Sequence, residues 1–161
     1  MGLHMNSPLP SLEGATKWFN VEEGRQGFSS EELKGSPTVV HFWSVSCHTC
    51  HEIADKVQSW KQEYEPKGVK FISVHQAKSA ADLDLSKIEK DLQKMGMDQP
   101  VAADNEFKII DAFGNEFMPA FYVFDSEGKM RHFQAGDRGF ERLLDRINRV
   151  VEATPKPEAA S

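Results

Sequence analysis

The sequence predicts an α/β domain, one central mixed β-sheet flanked by helices on both faces. Three observations carry that expectation. Short β-branched and aromatic runs alternate with longer stretches whose apolar residues recur every three or four positions, the pattern of strand, helix and strand. Near the C-terminus, Ala120–Phe124 and Met130–Ala135 flank the turn-forming Asp125-Ser126-Glu127-Gly128-Lys129, which reads as an antiparallel hairpin. A chain of 161 residues with 39% hydrophobic content, including 11 Phe, is large enough for one full core.

The elements follow in order. Residues 1–11 read as a leader or flexible N-terminus, 12–152 as the domain, and 153–161, with Thr154-Pro155-Lys156-Pro157, as a disordered tail. Lys17 to Phe28 holds two short aromatic-containing runs around Glu22-Glu23-Gly24, which suggests a small hairpin and an N-terminal β extension. Ser30-Glu31-Glu32-Leu33, ending at Gly35, forms one helical turn. After Pro37, the β-branched and aromatic Thr38–Trp43 reads as a buried central strand. Cys50, Ile53, Val57, Trp60 and Tyr64 then mark one face of a helix, which Pro66 and Gly68 end. Val69 to Val74 is the next strand and completes a βαβ unit. Gln76 to Pro100 is a central insertion, polar at first, whose helix carries Leu85, Ile88, Leu92 and Met95. Val101–Ala103 is a short strand. Asp104 is placed to cap a helix carrying Phe107, Ile110 and Phe113, and Gly114 stops it. Phe140, Leu143, Leu144, Ile147 and Val151 form the apolar stripe of a final helix. There is no repeat and no low-complexity block.

Composition narrows the function. The net charge is −6 and Lys and Arg are scattered, so no nucleic-acid footprint is expected. No stretch reaches the roughly 20 apolar residues of a bilayer span, and Met1 to Met5 lacks the basic flank and apolar core of a signal peptide. The expectation is a cytoplasmic protein without a membrane partner. The two cysteines, Cys47 and Cys50, share one motif, which leaves none for a remote structural bridge and fits a catalytic dithiol in a reducing compartment. His4, His75 and His132 read as surface or edge residues, and Met95, Met97, Met118 and Met130 as gap-filling core rather than copper ligands.

The chemistry concentrates in Phe42-Trp43-Ser44-Val45-Ser46-Cys47-His48-Thr49-Cys50, where a buried strand runs through a short loop into a helix. The first N–H groups of a helix have no intrahelical partner and carry partial positive charge. A thiolate is stabilised there, which lowers the thiol pKa and creates the nucleophile. Cys50 falls on the buried stripe of the helix, and Cys47 one turn earlier at an accessible tip. Cys47 is therefore expected to attack a substrate disulfide, and Cys50 to resolve the mixed disulfide.

Through the segments "HFWSVSCHTC", "PAFYVFD" and "RHFQAG", the chain resembles the thioredoxin-like family from about Leu12 to Glu152, in particular its YkuV-type and TlpA/ResA-like thiol–disulfide oxidoreductases. The resemblance implies a thioredoxin-like fold and protein disulfide or dithiol substrates. It also implies an unidentified electron donor and no cofactor. Trp43 matches the family's tryptophan before CxxC, and Pro119 its cis-proline, with the backbone of Met118 pairing with bound substrate. The insertion is similar to that of the TlpA/ResA-like branch. Two positions depart from the pattern. His41 stands where thioredoxin has a buried acid, and Ile53, with Glu52 beside it, where the cytochrome-maturation relatives have a glutamate. The proton acceptor for Cys50 is left among His41, Glu52 and a water. The dipeptide His48-Thr49 replaces Gly-Pro, and an imidazolium beside the thiolate would raise the reduction potential. Trp43, Val45, Met118 and Phe117 form an expected apolar rim with no basic patch, the insertion lying away from it. A monomer of broad, modest activity on protein disulfides follows.

Three other readings compete for the same residues. A metal or haem protein would use Cys47, His48, Cys50 and His51, since C-x-x-C-H is also a haem-attachment pattern and half a zinc site. Neither a second cysteine pair nor an export signal accompanies it, and His51 reads as a solvated helix residue. A peroxiredoxin requires a proline seven residues before its reactive cysteine, where this chain has Val40.

Overall fold

The computed structural model describes residues 2–155. Among them the strands are β1 (Leu12–Glu13), β2 (Lys17–Phe19), β3 (Gly27–Phe28), β4 (Thr38–Trp43), β5 (Lys70–His75), β6 (Val101–Ala103), β7 (Ala120–Phe124) and β8 (Met130–Ala135). The α-helices are α1 (Ser30–Leu33), α2 (His48–Glu52), α3 (Ala54–Tyr64), α4 (Leu85–Lys94), α5 (Lys108–Phe113) and α6 (Phe140–Ala153). The main sheet has six strands in the order β2-β6-β5-β4-β7-β8, and β1 pairs with β3 in a separate ribbon. β4, β5 and β6 run parallel, while β7, β8 and β2 are antiparallel to their neighbours. The mixed sheet follows from the connections: crossovers through helices give parallel pairs, and the tight turn at Asp125–Lys129 gives an antiparallel one.

Alternation along β4 divides the core. Val40 and Phe42 join Phe113, Tyr122 and Phe124 in a cluster covered by α1 and α5. Val39 points the other way, into a cluster with Val57, Trp60, Leu143 and Ile147 from α3 and α6. Trp43 shares that second face but lies with Cys47, Cys50, Ile88 and Leu92, so α4 of the insertion roofs the active-site end.

Four sequence expectations change. Lys17 to Phe28 is not a hairpin. β2 leaves β1 and β3 to pair with β6, sending Trp18 into one core cluster and Phe19 into another, and Asn20 turns the chain out at φ 62°. A two-stranded hairpin could not bury both aromatic faces. The helix expected from Cys50 to Tyr64 breaks at Ile53 (φ −96°, ψ 3°) into α2 and α3, although the Val57 N–H still donates to the Ile53 carbonyl at 3.0 Å. Phe107 is left-handed and half-exposed, outside the stripe it was assigned to, and Ile109 takes its place in the core. Asp104 does serve the helix start, its Oδ2 accepting the Ile110 N–H at 2.8 Å.

The expected leader also folds onto the domain. The Leu9 N–H donates to the Gly128 carbonyl at 2.7 Å, the Asn6 N–H donates to the Met130 carbonyl at 2.9 Å, and Leu9 is buried. The segment covers the otherwise open start of the edge strand β8. Flanked by Pro8 and Pro10, Leu9 has no periodic neighbours to betray its burial. At the other end, α6 continues to Ala153, and residues 156–161 of the expected tail lie outside the described residues. Leu9→Ala is expected to destabilise the fold by about 2–4 kcal/mol in urea titration. A change below about 0.5 kcal/mol, the range of an exposed site, would return the segment to a leader.

Candidate active site

The site forms at the C-terminal edge of the parallel strands, where β4 ends at Trp43 and loop Ser44-Val45-Ser46 leads to Cys47. Cys47 is the N-cap of α2, and its Sγ accepts the backbone N–H of Cys50 at 3.1 Å. Sulfur thus fills the capping role usually played by a serine or aspartate oxygen. Cys47 and Cys50 are disulfide-bonded, with Cα atoms 5.3 Å apart. Cys50 is 1% exposed and Cys47 only 6%, so the expected accessible tip is a nearly covered sulfur. The order of exposure is the expected one, and the partly buried Val45 and Met118 pack against the cluster that holds both cysteines.

Trp43 is fully buried in that cluster as its floor, its ring edge-on to His75 at 5.0 Å. The Met118–Pro119 bond is cis, Pro119 is buried, and Phe117 beside it is 60% exposed. Of the expected apolar rim, Val45 and Met118 pack against the cysteine cluster that contains the buried Trp43, whereas Phe117 lines a separate pocket with Leu3, Tyr122 and Phe133.

The loop is clamped by residues from the insertion and from β5. The Val45 N–H donates to His75 Nε2 at 3.2 Å. His75, expected at the surface, is fully buried, and burial drives its pKa down to about 4, so the ring is neutral. Asp82, in a 3-10 turn at Ala80–Leu83, accepts the Ser46 hydroxyl at 2.6 Å, the Ser44 hydroxyl at 3.4 Å and the Lys78 N–H at 2.9 Å. Burial opposes ionisation, yet the hydrogen bonds from Ser46 and the Lys78 amide, with the charge of Lys87, hold its carboxyl below the ordinary value.

His51 is the residue that sequence reasoning missed. Its Nδ1 lies 2.7 Å from the Cys47 carbonyl and its Nε2 2.7 Å from Asp91 Oδ2 on α4. Both partners are oxygen acceptors, so each ring nitrogen is engaged. His51 is thereby a bridge between the first turn of α2 and the insertion, not a solvated surface residue. Asp91, a residue 40 positions away, is its other end.

The remaining site residues fall apart from the sulfurs. His48 is 88% exposed at its side chain and faces Glu52, also exposed, at 3.1 Å. Its imidazole is directed at a carboxylate and at water, which weakens the expected influence on a Cys47 thiolate. Glu52 is correspondingly no interior base. Thr49 is half-buried, its carbonyl accepting the Ile53 N–H at 3.1 Å. His41 is buried on the Trp43 face of β4, with Nδ1 3.0 Å from Ser73 Oγ, its ring stacked on Phe121, and no partner for Nε2 among the described residues. Burial lowers its pKa to about 3. The Cys47, His48, Cys50 and His51 set does not converge on one point: the sulfurs hold each other and both nitrogens of His51 are engaged. Among the described residues, no group of three or more His, Cys, Asp or Glu could hold a metal ion.

The two buried histidines set a pH dependence. Each binds a proton more weakly folded (about 3 and about 4) than unfolded (6.5), so stability is full above the unfolded value and falls as pH drops below it. Between pH 7 and pH 5 each should cost the fold roughly 2 kcal/mol. Urea titrations at the two pH values are expected to differ by about 4 kcal/mol, and His41→Gln or His75→Gln to remove about half of that. A difference that neither variant alters would mean that neither ring is held neutral by burial.

A profile described as the AhpC/TSA family matches residues 7–133. The thiol-disulfide oxidoreductase YkuV of Bacillus subtilis (strain 168) is 38% identical over 152 residues, covering 94% of this chain and 99% of that protein. The thiol-disulfide oxidoreductase ResA of Bacillus anthracis is 25% identical over 121 residues, covering 75% of this chain and 67% of that protein. Among solved structures, a thioredoxin-like protein in the oxidized form superposes with a TM-score of 0.80 at 39% identity, covering 95% of this chain and 100% of that one.

Proposed function

The chain belongs to the AhpC/TSA family, and we propose that it is a thiol–disulfide oxidoreductase in which Cys47 exchanges with protein disulfides and Cys50 resolves. One observation carries the roles: Cys47 caps α2 and receives the Cys50 N–H on its sulfur, while Cys50 lies deeper in the apolar cluster. A hydrogen bond to sulfur and a helix N-terminus both favour thiolate over thiol.

With the pair reduced, the Cys47 thiolate attacks one sulfur of a substrate disulfide. The substrate S–S bond breaks, its other sulfur leaves as a thiolate, and a mixed disulfide remains. Cys50 gives up its proton and attacks Cys47 Sγ, releasing the second substrate thiolate and restoring the Cys47–Cys50 disulfide. Two electrons pass to the substrate and must be returned by an external dithiol donor. Run backward, the same steps oxidise a substrate dithiol. The proton from Cys50 is assigned to water: Glu52 is committed to His48 at the surface, and a base of pKa about 3, such as His41, is too weak to take it near neutrality. The half-buried Met118 backbone beside the sulfurs would pair with an extended substrate, and main-chain pairing tolerates many sequences.

The reading extends to a monomer working in the cytoplasm. Its support is a cysteine count that holds one dithiol and nothing else, which suits a reducing compartment. The peroxiredoxin alternative is disfavoured because Val40 is fully buried inside β4 where that chemistry needs a proline.

Reduction of insulin disulfides tests the roles. Cys47→Ser is expected to lose at least about a thousandfold in rate. Cys50→Ser should accumulate a covalent mixed disulfide, visible by mass spectrometry and cleared by a small thiol. A mixed disulfide that forms at Cys50 in the Cys47→Ser variant would reverse the assignment.

A further inference from the structure

Beside the active-site loop, α4 and Val45 enclose a groove of about 360 Å³. Lys87, Lys90 and Lys94 line it, spaced three and four residues apart and hence on one helical face. The groove adjoins the chemistry directly. Val45 is two residues before Cys47, and Asp91 in the groove wall reaches the Cys47 carbonyl through His51. The insertion therefore does not lie away from the rim, and a basic surface does border it.

The acidic residues of the groove are already engaged. Asp84 caps α4, its Oδ1 accepting the Ser86 N–H at 2.9 Å and the Lys87 N–H at 3.4 Å, and Asp91 is held by His51 at 2.7 Å. Lys87 lies 3.9 Å from Asp82. Lys90 and Lys94 are exposed and make no ion pair among the described residues. The groove thus sets three lysines against two aspartates on a chain whose net charge is −6, and Lys94 also borders a neighbouring pocket that holds Asp55, Glu65 and Asp98, which leaves Lys90 as its most open cation.

We propose that this groove binds an acidic segment of the polypeptide whose disulfide is exchanged, with substrate carboxylates against Lys90 and Lys94 and the substrate cysteine at Cys47. The proposal rests on the reading of Cys47 and Cys50 as the exchanging pair. A few side chains fill such a volume. A long polyanion such as nucleic acid would meet the acidic remainder of the surface, which a short acidic segment does not reach. Specificity of this kind is superimposed on the sequence-tolerant backbone pairing at Met118. It biases which protein disulfides react without excluding the rest.

The test uses three peptide disulfides of one sequence, with Glu, Gln or Lys at the positions flanking the cysteine. Their kcat/KM is measured with the reduced wild type and with Lys90→Glu/Lys94→Glu. Two exposed charge pairs predict that the wild type prefers the Glu peptide to the Lys peptide by about three- to tenfold at low salt. The preference should reside in KM and shrink at high salt. The charge-reversed variant is expected to prefer the Lys peptide and to match the wild type on the Gln peptide. Because both lysines are exposed, Lys90→Gln/Lys94→Gln should remove the preference without altering the fold. Equal rates on all three peptides, or a preference that survives charge reversal, would overturn the proposal. A wild type that exchanges with none of the three would overturn the underlying reading of Cys47 as well.

Discussion

A helix that begins at the end of a buried strand leaves N–H groups without partners, and something must accept them. Here the acceptor at the start of α2 is a sulfur: the Cys50 N–H points at Cys47 Sγ from 3.1 Å. Every other feature of the site follows from holding that turn in place. β4 is buried along its length because it must deliver Trp43 to the floor beneath the two cysteines. The break at Ile53 separates α2 from α3, whose Val57 and Trp60 pack into the core.

The same turn explains why the insertion is part of the site. A loop of three residues between β4 and α2 has little packing of its own and needs polar restraints. His75 accepts the Val45 N–H, Asp82 gathers the hydroxyls of Ser44 and Ser46, and His51 ties the Cys47 carbonyl to Asp91. Two of these three anchors come from the Gln76–Pro100 stretch, so residues distant in sequence fix the geometry of the reacting sulfur. Its helix then supplies the lysines beside the cysteine pair. One segment thereby couples the rigidity of the nucleophile to the charge of the surface a substrate meets.

Much of this was legible in the residues. The unbroken β-branched and aromatic run Thr38–Trp43, the 3- and 4-residue spacing in α4 and α6, and the turn composition before β8 are each local patterns that burial or chain reversal imposes. CxxC after such a strand located the chemistry for the same reason, since strand end and helix start lie side by side in sequence. What stayed hidden depends on contacts between distant positions. His51 looked like any solvated histidine because its partner Asp91 is remote, and His75 looked like an edge residue because the roof over it is the insertion. β2 was misassigned because a three-residue strand has the same pattern whether it pairs with a neighbour or with β6. Glu52 and His48 lie adjacent to the cysteines in sequence but project outward on the exposed side of α2, which proximity alone does not reveal.

The central claim is that the capped first turn of α2 makes Cys47, and not Cys50, the reactive sulfur. The direct measurement is the alkylation rate of each cysteine in the reduced protein at pH 7, with iodoacetamide and mass-spectrometric site assignment. Cys47 is expected to react faster than Cys50, and faster than the same cysteine in the urea-unfolded chain, despite being nearly covered in the folded one. Faster labelling of Cys50, or acceleration of Cys47 on unfolding, would contradict it.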